Sequence, residues 1–235
     1  MITQFSDLDL NRNYSYADYR EWQLDGHVEL VNGRVCAMAP SQTRLHQKAS
    51  TKIFKPLTDF FIQNPCELYF APFDVRFPRH PNDPENKVFT VLQPDICVVC
   101  DLEKLDDNGC NGAPDLIVEI TSKGTRQRDF HFKYSVYEES GVFEYWIVDP
   151  LEKVIYQNHL VDGAYKQVAI VGEGETLYSA HFKGLEVKVS DISSTPPSFP
   201  QKKACCLLPH SGRRTDTSLH SRFASSGPWP FPSGL

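Results

Sequence analysis

A glutamate lies inside a strand-like apolar stretch of this 235-residue chain, DLIVEI at residues 115–120. The residues around Glu119 are aliphatic, and a short aliphatic run of this kind predicts a buried β-strand over about 115–121. A carboxylate inside such a strand loses its hydration, which costs several kcal/mol unless another group compensates. We therefore expect the chain to fold so that a positive partner reaches Glu119.

The acidic residue on the same strand, Asp115, is too far away to share a ligand with Glu119. Residues four apart in a strand are separated by roughly 13 Å, at about 3.3 Å per residue, so we interpret Asp115 as a structural residue of the turn after Pro114. Asp95 is a better partner, since it opens a second apolar segment, DICVV, expected beside the first. Adjacent strands lie about 4.8 Å apart, so facing carboxylates can share a divalent cation. In the alternative, Asp95 caps its own turn and Glu119 meets an arginine.

A positive partner for Glu119 is predicted on the helix that follows its strand. Residues 126–140 have helical periodicity and end at Gly141, a residue favoured just after a helix. One face of this helix is predicted to carry Asp129, Phe132, Lys133, Val136, Tyr137 and Ser140. The apolar members of that face are expected to pack on the sheet, which turns Lys133 inward, toward Glu119. An i,i+4 pair between Lys133 and Asp129 is compatible with this contact.

Turn residues and periodicity predict the remaining elements. A short helix within 15–26 ends at Gly26, and a hairpin at 27–40 turns at Asn32-Gly33, a type I′ signal. A helix within 41–64 contains Pro56, which is expected to kink or split it. Loops are expected at 79–87 and 101–112, and further strands at 70–78, 91–100, 143–150, 153–158, 165–171, 176–179 and 185–189.

Charge and hydropathy exclude some classes of protein. The formal net charge of −6 argues against a protein that coats nucleic acid by bulk electrostatics, although a local basic cleft is compatible with it. The N-terminal residues show no signal-peptide pattern, and the apolar runs of about five residues are too short to span a membrane. We therefore predict a cytoplasmic protein without membrane contact.

The chain changes character near residue 193. Residues 193–235 are rich in Ser, Pro and Gly, lack periodicity, and carry five Lys and Arg residues against one Asp, a net charge of +4. This composition predicts a disordered tail. Two interpretations stay open, namely an arm that seeks nucleic acid and an unselected extension.

The seven cysteines show no disulfide framework. Cys97 and Cys100 form a CxxC pattern, but strand residues three apart point to opposite faces and no second ligand pair is visible. We expect reduced, mostly buried thiols, and a zinc or redox module is the weakest of the functional hypotheses.

Two segments together carry a resemblance to a known family. QPDICVV and GAPDLIVEITSKGTRQRDFHFKYSVYEESGVFEYWIVDP are similar to the Uma family of restriction-endonuclease-like proteins, within the PD-(D/E)xK nuclease superfamily. The hairpin at 27–40, His46 and the closing HFKGLEVKVSDI also match, so the resemblance spans about residues 10–192. It implies a restriction-endonuclease-like α/β domain over 1–192, with an N-terminal hairpin and a mixed sheet of four or five strands flanked by helices. It also implies hydrolysis of DNA phosphodiester bonds with Mg²⁺ or Mn²⁺.

The resemblance assigns roles to individual acids. Asp95 takes the place of the first motif acid and Glu119 that of the second. Thr121 stands where the superfamily motif has lysine, and Lys133 on the following helix occupies a place from which that charge can come. Asp74 is expected as a third metal ligand.

Other residues are expected around this set. The supporting residues are Glu29, His46, Asp129 and Tyr137. The residues expected to meet the DNA backbone are Arg126, Arg128 and His131, with a merely solvated face as the alternative. Because Thr121 lacks a charge, a catalytically inactive DNA-binding or protein-interaction module is the alternative function. A homodimer is expected if both DNA strands are cut.

Overall fold

A computed structural model of the chain describes residues 2–24, 27–38 and 42–189. Its helices are α1 (Tyr16–Arg20), α2 (Arg44–Phe61) and α3 (Tyr134–Ser140), and a π-helical segment, Arg128–Lys133, leads directly into α3. Single 3₁₀ turns lie at Phe5–Asp7, Glu85–Lys87 and Leu102–Lys104. The predicted tail at 193–235 lies outside the described residues. The helix predicted to end at Gly26 is shorter than expected, since α1 ends at Arg20 and residues 22–24 are not helical; Gly26 itself lies outside the described residues.

The strands in the described part of the chain form two large sheets and a small one. They are β1 (Val28–Val31), β2 (Arg34–Ala37), β3 (Glu67–Phe70), β4 (Val75–Arg76), β5 (Val91–Leu92), β6 (Ile96–Val99), β7 (Leu105–Asp106), β8 (Gly109–Asn111), β9 (Leu116–Ile120), β10 (Glu144–Asp149), β11 (Val154–Val161), β12 (Ala164–Val171), β13 (Thr176–Tyr178) and β14 (Glu186–Lys188). The first sheet has the order β2-β1-β5-β4-β8-β7, the second has β12-β11-β10-β9-β6-β3, and β13 pairs with β14.

The predicted mixed α/β class is confirmed, while the predicted number of strands is wrong. In the second sheet β9 and β10 run parallel and the other neighbours are antiparallel. This sheet has six strands rather than four or five, and the N-terminal hairpin belongs to another six-stranded sheet. Strand counts depend on pairings between distant segments, which local periodicity does not encode.

The central strands and the hairpin follow from the sequence as expected. All residues of β9 and β10 are buried, as expected of strands covered on both faces. The β1–β2 hairpin turns at Asn32 (φ 48°) and Gly33 (φ 81°), and these positive φ angles fit the predicted type I′ turn.

Three predicted elements differ in the structure. Helix α2 runs unbroken through Pro56, and the face that buries Ala49, Ile53 and Leu57 continues across it, so the expected split is wrong. The segment 70–78 contributes three strand residues, Phe70 at the end of β3 and the two residues of β4. The predicted loop at 101–112 contains a 3₁₀ turn and a short hairpin, β7–β8.

The predicted strand at 91–100 divides between the two large sheets. β5 pairs with β1 and β4 in the first sheet, and β6 pairs with β3 and β9 in the second. The break falls around Pro94, which has no N–H for a strand ladder. Asp95 therefore lies where the chain crosses from one large sheet to the other.

The expectation of reduced cysteines is wrong for one pair. Cys66 and Cys100 form a disulfide, with their Cα atoms 4.0 Å apart. The two residues are 34 positions apart, so no local spacing pointed to the bond. Cys97, on the opposite face of β6, is buried and free.

No helix within the described ranges combines the length and the apolarity that crossing a membrane requires.

Candidate active site

A cleft of about 330 Å³ lies where the two large sheets meet. It is bounded by the β1–β2 hairpin, the first turn of α2, the ends of β6 and β9, and the π-helical segment. The residues predicted from sequence that line it are His46, Asp95, Glu119, Arg128, Asp129 and Lys133. Segments far apart in sequence therefore place these groups around one cavity.

Glu119 receives both a cation and a hydroxyl donor. Lys133 Nζ donates to Glu119 Oε1 at 2.7 Å, and Tyr137 OH donates to the same oxygen at 2.6 Å. Glu119 is 4% exposed and Lys133 is 1% exposed, so water contributes little to either charge. The positive partner that the buried strand requires comes from the helix next in sequence, one turn before Tyr137.

A second carboxylate, Glu29 of β1, reaches the same lysine from the first sheet. Its Oε1 lies 3.1 Å from Lys133 Nζ and accepts the backbone N–H of Gln93 at 3.0 Å. Arg128 Nη1 lies 3.4 Å from Glu29 Oε2. Lys133 is thus held between one carboxylate from each large sheet. Sequence reasoning gave Glu29 only as a supporting residue, because its pairing depends on how the two sheets meet.

Burial controls the electrostatics of this cluster. Burial raises the pKa of Glu119 to about 8, against the opposing effect of the Lys133 ammonium. Burial also raises the pKa of Asp129. For Lys133, burial disfavours the charged form, but the nearby Glu119 and Glu29 carboxylates outweigh it and raise the pKa of the ammonium. The lysine is therefore a fixed cation.

Asp95 is held opposite Glu119 by three donors. Its Oδ2 accepts the backbone N–H of Ile120 at 2.7 Å and lies 3.1 Å from His46 Nε2, and its Oδ1 accepts from Gln42 Nε2 at 3.3 Å. The antiparallel register pairs Ile96 with Val118, so one further step places Asp95 directly across from Glu119. Cross-strand neighbours point to the same face, which is the arrangement that a shared cation requires.

Formal charge in the cleft favours a divalent cation. Three carboxylates that line the cleft, Asp95, Glu119 and Asp129, together with Glu29 beside it, face two cations, Lys133 and Arg128. This is an excess of two negative charges when all are ionised. Each buried negative charge without a partner is costly, so a divalent ion would relieve the excess.

The donor set fits a divalent ion that prefers oxygen ligands, such as Mg²⁺. Carboxylate oxygens are the ligands this ion prefers, and it is commonly held by one or two carboxylates plus water and substrate phosphate. Across residues 2–189, apart from the undescribed positions, no group of three or more His, Cys, Asp and Glu side chains is placed to share a metal ion. Asp95 and Glu119 would therefore be the protein ligands, and solvent and substrate would complete the shell.

The structure does not bring Asp74 to the cleft. Its Oδ1 accepts from Gln93 Nε2 at 2.7 Å and from Tyr19 OH at 3.2 Å, and burial raises the pKa of this carboxyl. Since the backbone N–H of Gln93 also binds Glu29, Asp74 connects to Lys133 through two intermediate residues.

Two of the three residues predicted to meet DNA also lie elsewhere. Arg126 forms an ion pair with Asp149 and places its guanidinium over the ring of Phe130, 4.9 Å from the centroid. His131 is exposed and does not line the cleft. Arg128 does line it, paired with Glu29.

The helix over 126–140 begins with a π-helical segment that the sequence did not predict. Its i→i+5 hydrogen bonding changes which residues share a face, so Phe132, predicted to pack on the sheet, is 37% exposed. Phe130 packs instead, against Tyr156, with ring centroids 4.9 Å apart. Asp129 and Lys133 are both buried. π-Helical turns recur at functional sites, which agrees with this placement beside the cleft.

Replacing Tyr137 with phenylalanine is expected to lower the free energy of unfolding by about 1–2 kcal/mol, because Glu119 loses one of its buried donors. Urea titration measures the change. Tyr165→Phe is the matched control, since its hydroxyl is buried and makes no hydrogen bond with the described residues, so its loss should cost nothing. Equal losses in the two variants would contradict a special role for the Tyr137 hydroxyl.

Comparison with known proteins gives a family and a fold. A family model described as "Uma2: Putative restriction endonuclease" matches residues 16–190. The crystal structure of "a putative nuclease belonging to DUF820" from Anabaena variabilis is similar over 76% of this chain and 96% of that chain, with 15% sequence identity and a TM-score of 0.58. At this identity the likeness establishes the fold. No curated protein sequence matches.

Proposed function

The chain belongs to the Uma2 family, whose model is described as "Putative restriction endonuclease", and from this premise we propose that it hydrolyses DNA phosphodiester bonds with Mg²⁺ or Mn²⁺. The observation that carries the proposal is the β6–β9 register, which one residue further on sets Asp95 opposite Glu119, with Lys133 2.7 Å from Glu119. Two carboxylates and a buried ammonium in one cleft provide both the ligands and the positive charge that phosphate chemistry needs.

In the proposed mechanism, Asp95 and Glu119 would hold the metal ion. The chemistry that bound Mg²⁺ supplies is polarisation of phosphate oxygens and a lowered pKa of water. Asp95 keeps its orientation through the Ile120 N–H and His46 Nε2, and Glu119 keeps its orientation through Tyr137 OH.

Lys133 acts as a cation rather than as a base. Two carboxylates raise its pKa, so its Nζ does not give up a proton readily at neutral pH. It can orient water and stabilise the negative charge that develops on the phosphate under attack. Lys133 would thereby supply the charge that Thr121 cannot.

A non-catalytic nuclease-fold module is the second candidate. Two observations favour it, namely Thr121 at the motif position and the engagement of Lys133 by two carboxylates. Such a module would bind DNA or a protein partner without cutting. For either candidate we propose a cytoplasmic location, and cutting of both strands would further require a homodimer.

Plasmid cleavage tests the proposal directly. Supercoiled plasmid incubated with the full chain and Mg²⁺ or Mn²⁺ is expected to become nicked or linear, and to stay supercoiled when EDTA removes the metal, because the two carboxylates alone supply no Lewis acid. Gel electrophoresis follows the conversion. Plasmid that stays intact with both metals would reject the nuclease and favour the module; a labelled RNA in parallel identifies the preferred nucleic acid.

A further inference from the structure

The proposed function needs a surface that binds phosphates, and two of the three residues selected for it from sequence already form ion pairs. Arg126 is paired with Asp149, and Arg128 with Glu29. A nucleic-acid strand that enters the cleft therefore requires other cations. They are found on the first three turns of α2.

Arg44, Lys48 and Lys52 form a line on α2, here called the α2 basic stripe. Their spacing of four residues places them one above another on the helix, with a rise of about 6 Å between neighbours. They lie opposite the face that buries Ala49 and Ile53. Arg44 is exposed and the two lysines are half-buried, as expected when their aliphatic stems lie along the helix and their ammonium groups reach solvent.

The stripe is free of acidic partners in the described ranges. No carboxylate there forms an ion pair with any of its three members, whereas Lys55, one turn further on, is paired with Asp59 at 2.5 Å. Like charges at i,i+4 destabilise a helix by a few tenths of a kcal/mol per pair. An anionic partner would relieve that repulsion, while a purely structural helix gains nothing from it.

The stripe begins at the edge of the cleft. Thr43, the N-cap of α2, and His46, in its first turn, both line the cleft, and His46 contacts Asp95. Arg44 lies between them in sequence. The stripe thus starts one residue after the cleft-lining Thr43 and runs along the outer face of α2 for about 12 Å, at about 1.5 Å per residue.

We propose that the α2 basic stripe binds successive phosphates of the nucleic-acid strand whose scissile bond lies in the cleft. The occupant is a nucleic-acid backbone, because three unpaired cations at regular spacing complement a regular array of anions. The inference rests on the proposed function for the identity of the strand. It adds the path of that strand outside the cleft, and it assigns that path to α2 instead of the π-helical segment.

The test is DNA binding in EDTA, where cleavage does not interfere. A fluorescein-labelled DNA duplex is titrated with the full-length chain and with the triple variant Arg44→Gln/Lys48→Gln/Lys52→Gln, and binding is followed by anisotropy at several salt concentrations. The triple variant is expected to bind at least about tenfold more weakly. The slope of log K against log salt concentration should be smaller in magnitude by about 2–3, which is about one for each lost phosphate contact.

A matched variant controls for net charge. Lys166, Lys183 and Lys188 are exposed, lie outside the cleft, and form no ion pair within the described ranges, so changing all three to glutamine removes the same charge and should leave binding within about twofold. The charge-preserving variant Arg44→Lys/Lys48→Arg/Lys52→Arg should restore affinity, which separates lost phosphate contacts from a misfolded α2.

The outcomes test the inference separately from the proposed function. Equal weakening of DNA binding in the two glutamine variants overturns the inference that the α2 basic stripe binds phosphates, even where plasmid cleavage succeeds. Weakening confined to the stripe variant supports it, even where the plasmid stays uncut and the nuclease proposal fails. Binding of poly-glutamate as tightly as DNA, lost in the same variant, would assign the stripe to an acidic protein partner and would also overturn the inference.

Discussion

Replacing Lys133 with methionine is expected to lower the free energy of unfolding by about 3–5 kcal/mol, the usual cost of breaking a buried ion pair from one side. Methionine fills a similar volume, so the loss reports charge rather than a cavity. Its cause is that Glu29 and Glu119, both nearly inaccessible to water, lose the cation that lies 3.1 and 2.7 Å from them.

The difference in free energy of unfolding between the wild type and Lys133→Met should grow as the pH rises through 8. When the pKa of a carboxyl is higher in the folded state than in the unfolded state, the free energy of unfolding of the protein falls as the pH rises from the unfolded-state pKa to the folded-state pKa. For Glu119 in the wild type this interval runs from 4.5 to about 8. Without Lys133 the folded-state pKa goes higher, since the ammonium lowers it, and the loss of stability continues to higher pH.

Urea titrations on either side of pH 8 measure both effects. Lys123→Met is the matched control, because Lys123 is exposed and its replacement should change stability by no more than about 0.5 kcal/mol. Two outcomes would contradict a stabilising ion pair of Lys133 with Glu29 and Glu119. One is an equal loss of stability in the Lys133 and Lys123 variants, and the other is a loss in Lys133→Met that does not change with pH.

Changing Asp95 to asparagine, or Glu119 to glutamine, is expected to reduce metal-dependent plasmid cleavage by about three orders of magnitude or more. Neither amide carries the negative charge that holds a divalent ion, and groups that act as one catalytic unit lose most of the rate when any member is removed. The fold of Asp95→Asn should survive, since its retained side-chain oxygen can still accept from the Ile120 N–H. In Glu119→Gln, Lys133 keeps Glu29 as its carboxylate partner.

Asp74→Asn separates this ligand set from the one that the sequence predicted. Asp74 binds Tyr19 and Gln93 rather than lining the cleft, and an amide oxygen can keep those hydrogen bonds, so its cleavage rate should fall by less than about tenfold. The rise in melting temperature caused by Mn²⁺ provides a second readout, which should disappear in the Asp95 variant and persist in the Asp74 variant. If Asp74→Asn lost as much cleavage activity as Asp95→Asn, Asp74 would have to be counted among the metal ligands.

Local patterns were sufficient to predict the parts of the site that are close in sequence. The aliphatic run around Glu119 predicted its buried strand, and helical spacing placed Lys133 on the face that reaches it. The hairpin followed from Asn32-Gly33, since few residue pairs adopt two positive φ angles at low cost. In each case the interaction is settled within about 20 residues, where periodicity carries information.

Features that depend on distant pairings were not predictable. Glu29 reaches Lys133 because the sheet that contains β1 meets the sheet that contains β9 near Pro94. No local sequence pattern indicates where the two sheets meet. The π-helical segment changed which aromatic ring packs, Phe130 in place of Phe132, because helical templates assume 3.6 residues per turn. Gln42 and Gln93 became site residues through contacts with Asp95 and Glu29, although glutamine at such positions carries no distinguishing pattern.

The Cys66–Cys100 disulfide makes part of the cleft a covalent ring. Ala71, Pro72, Gln93 and Asp95 lie inside the ring, whereas Glu29, Glu119 and Lys133 lie outside it. A single backbone cut in the exposed segment near residue 80 would therefore leave both halves joined, with Glu29 and His46 on one half still linked to Asp95, Glu119 and Lys133 on the other. Once the sulfurs are reduced, the same cut would separate the chain into two molecules, so the cleft would be retained only for as long as noncovalent packing held them together.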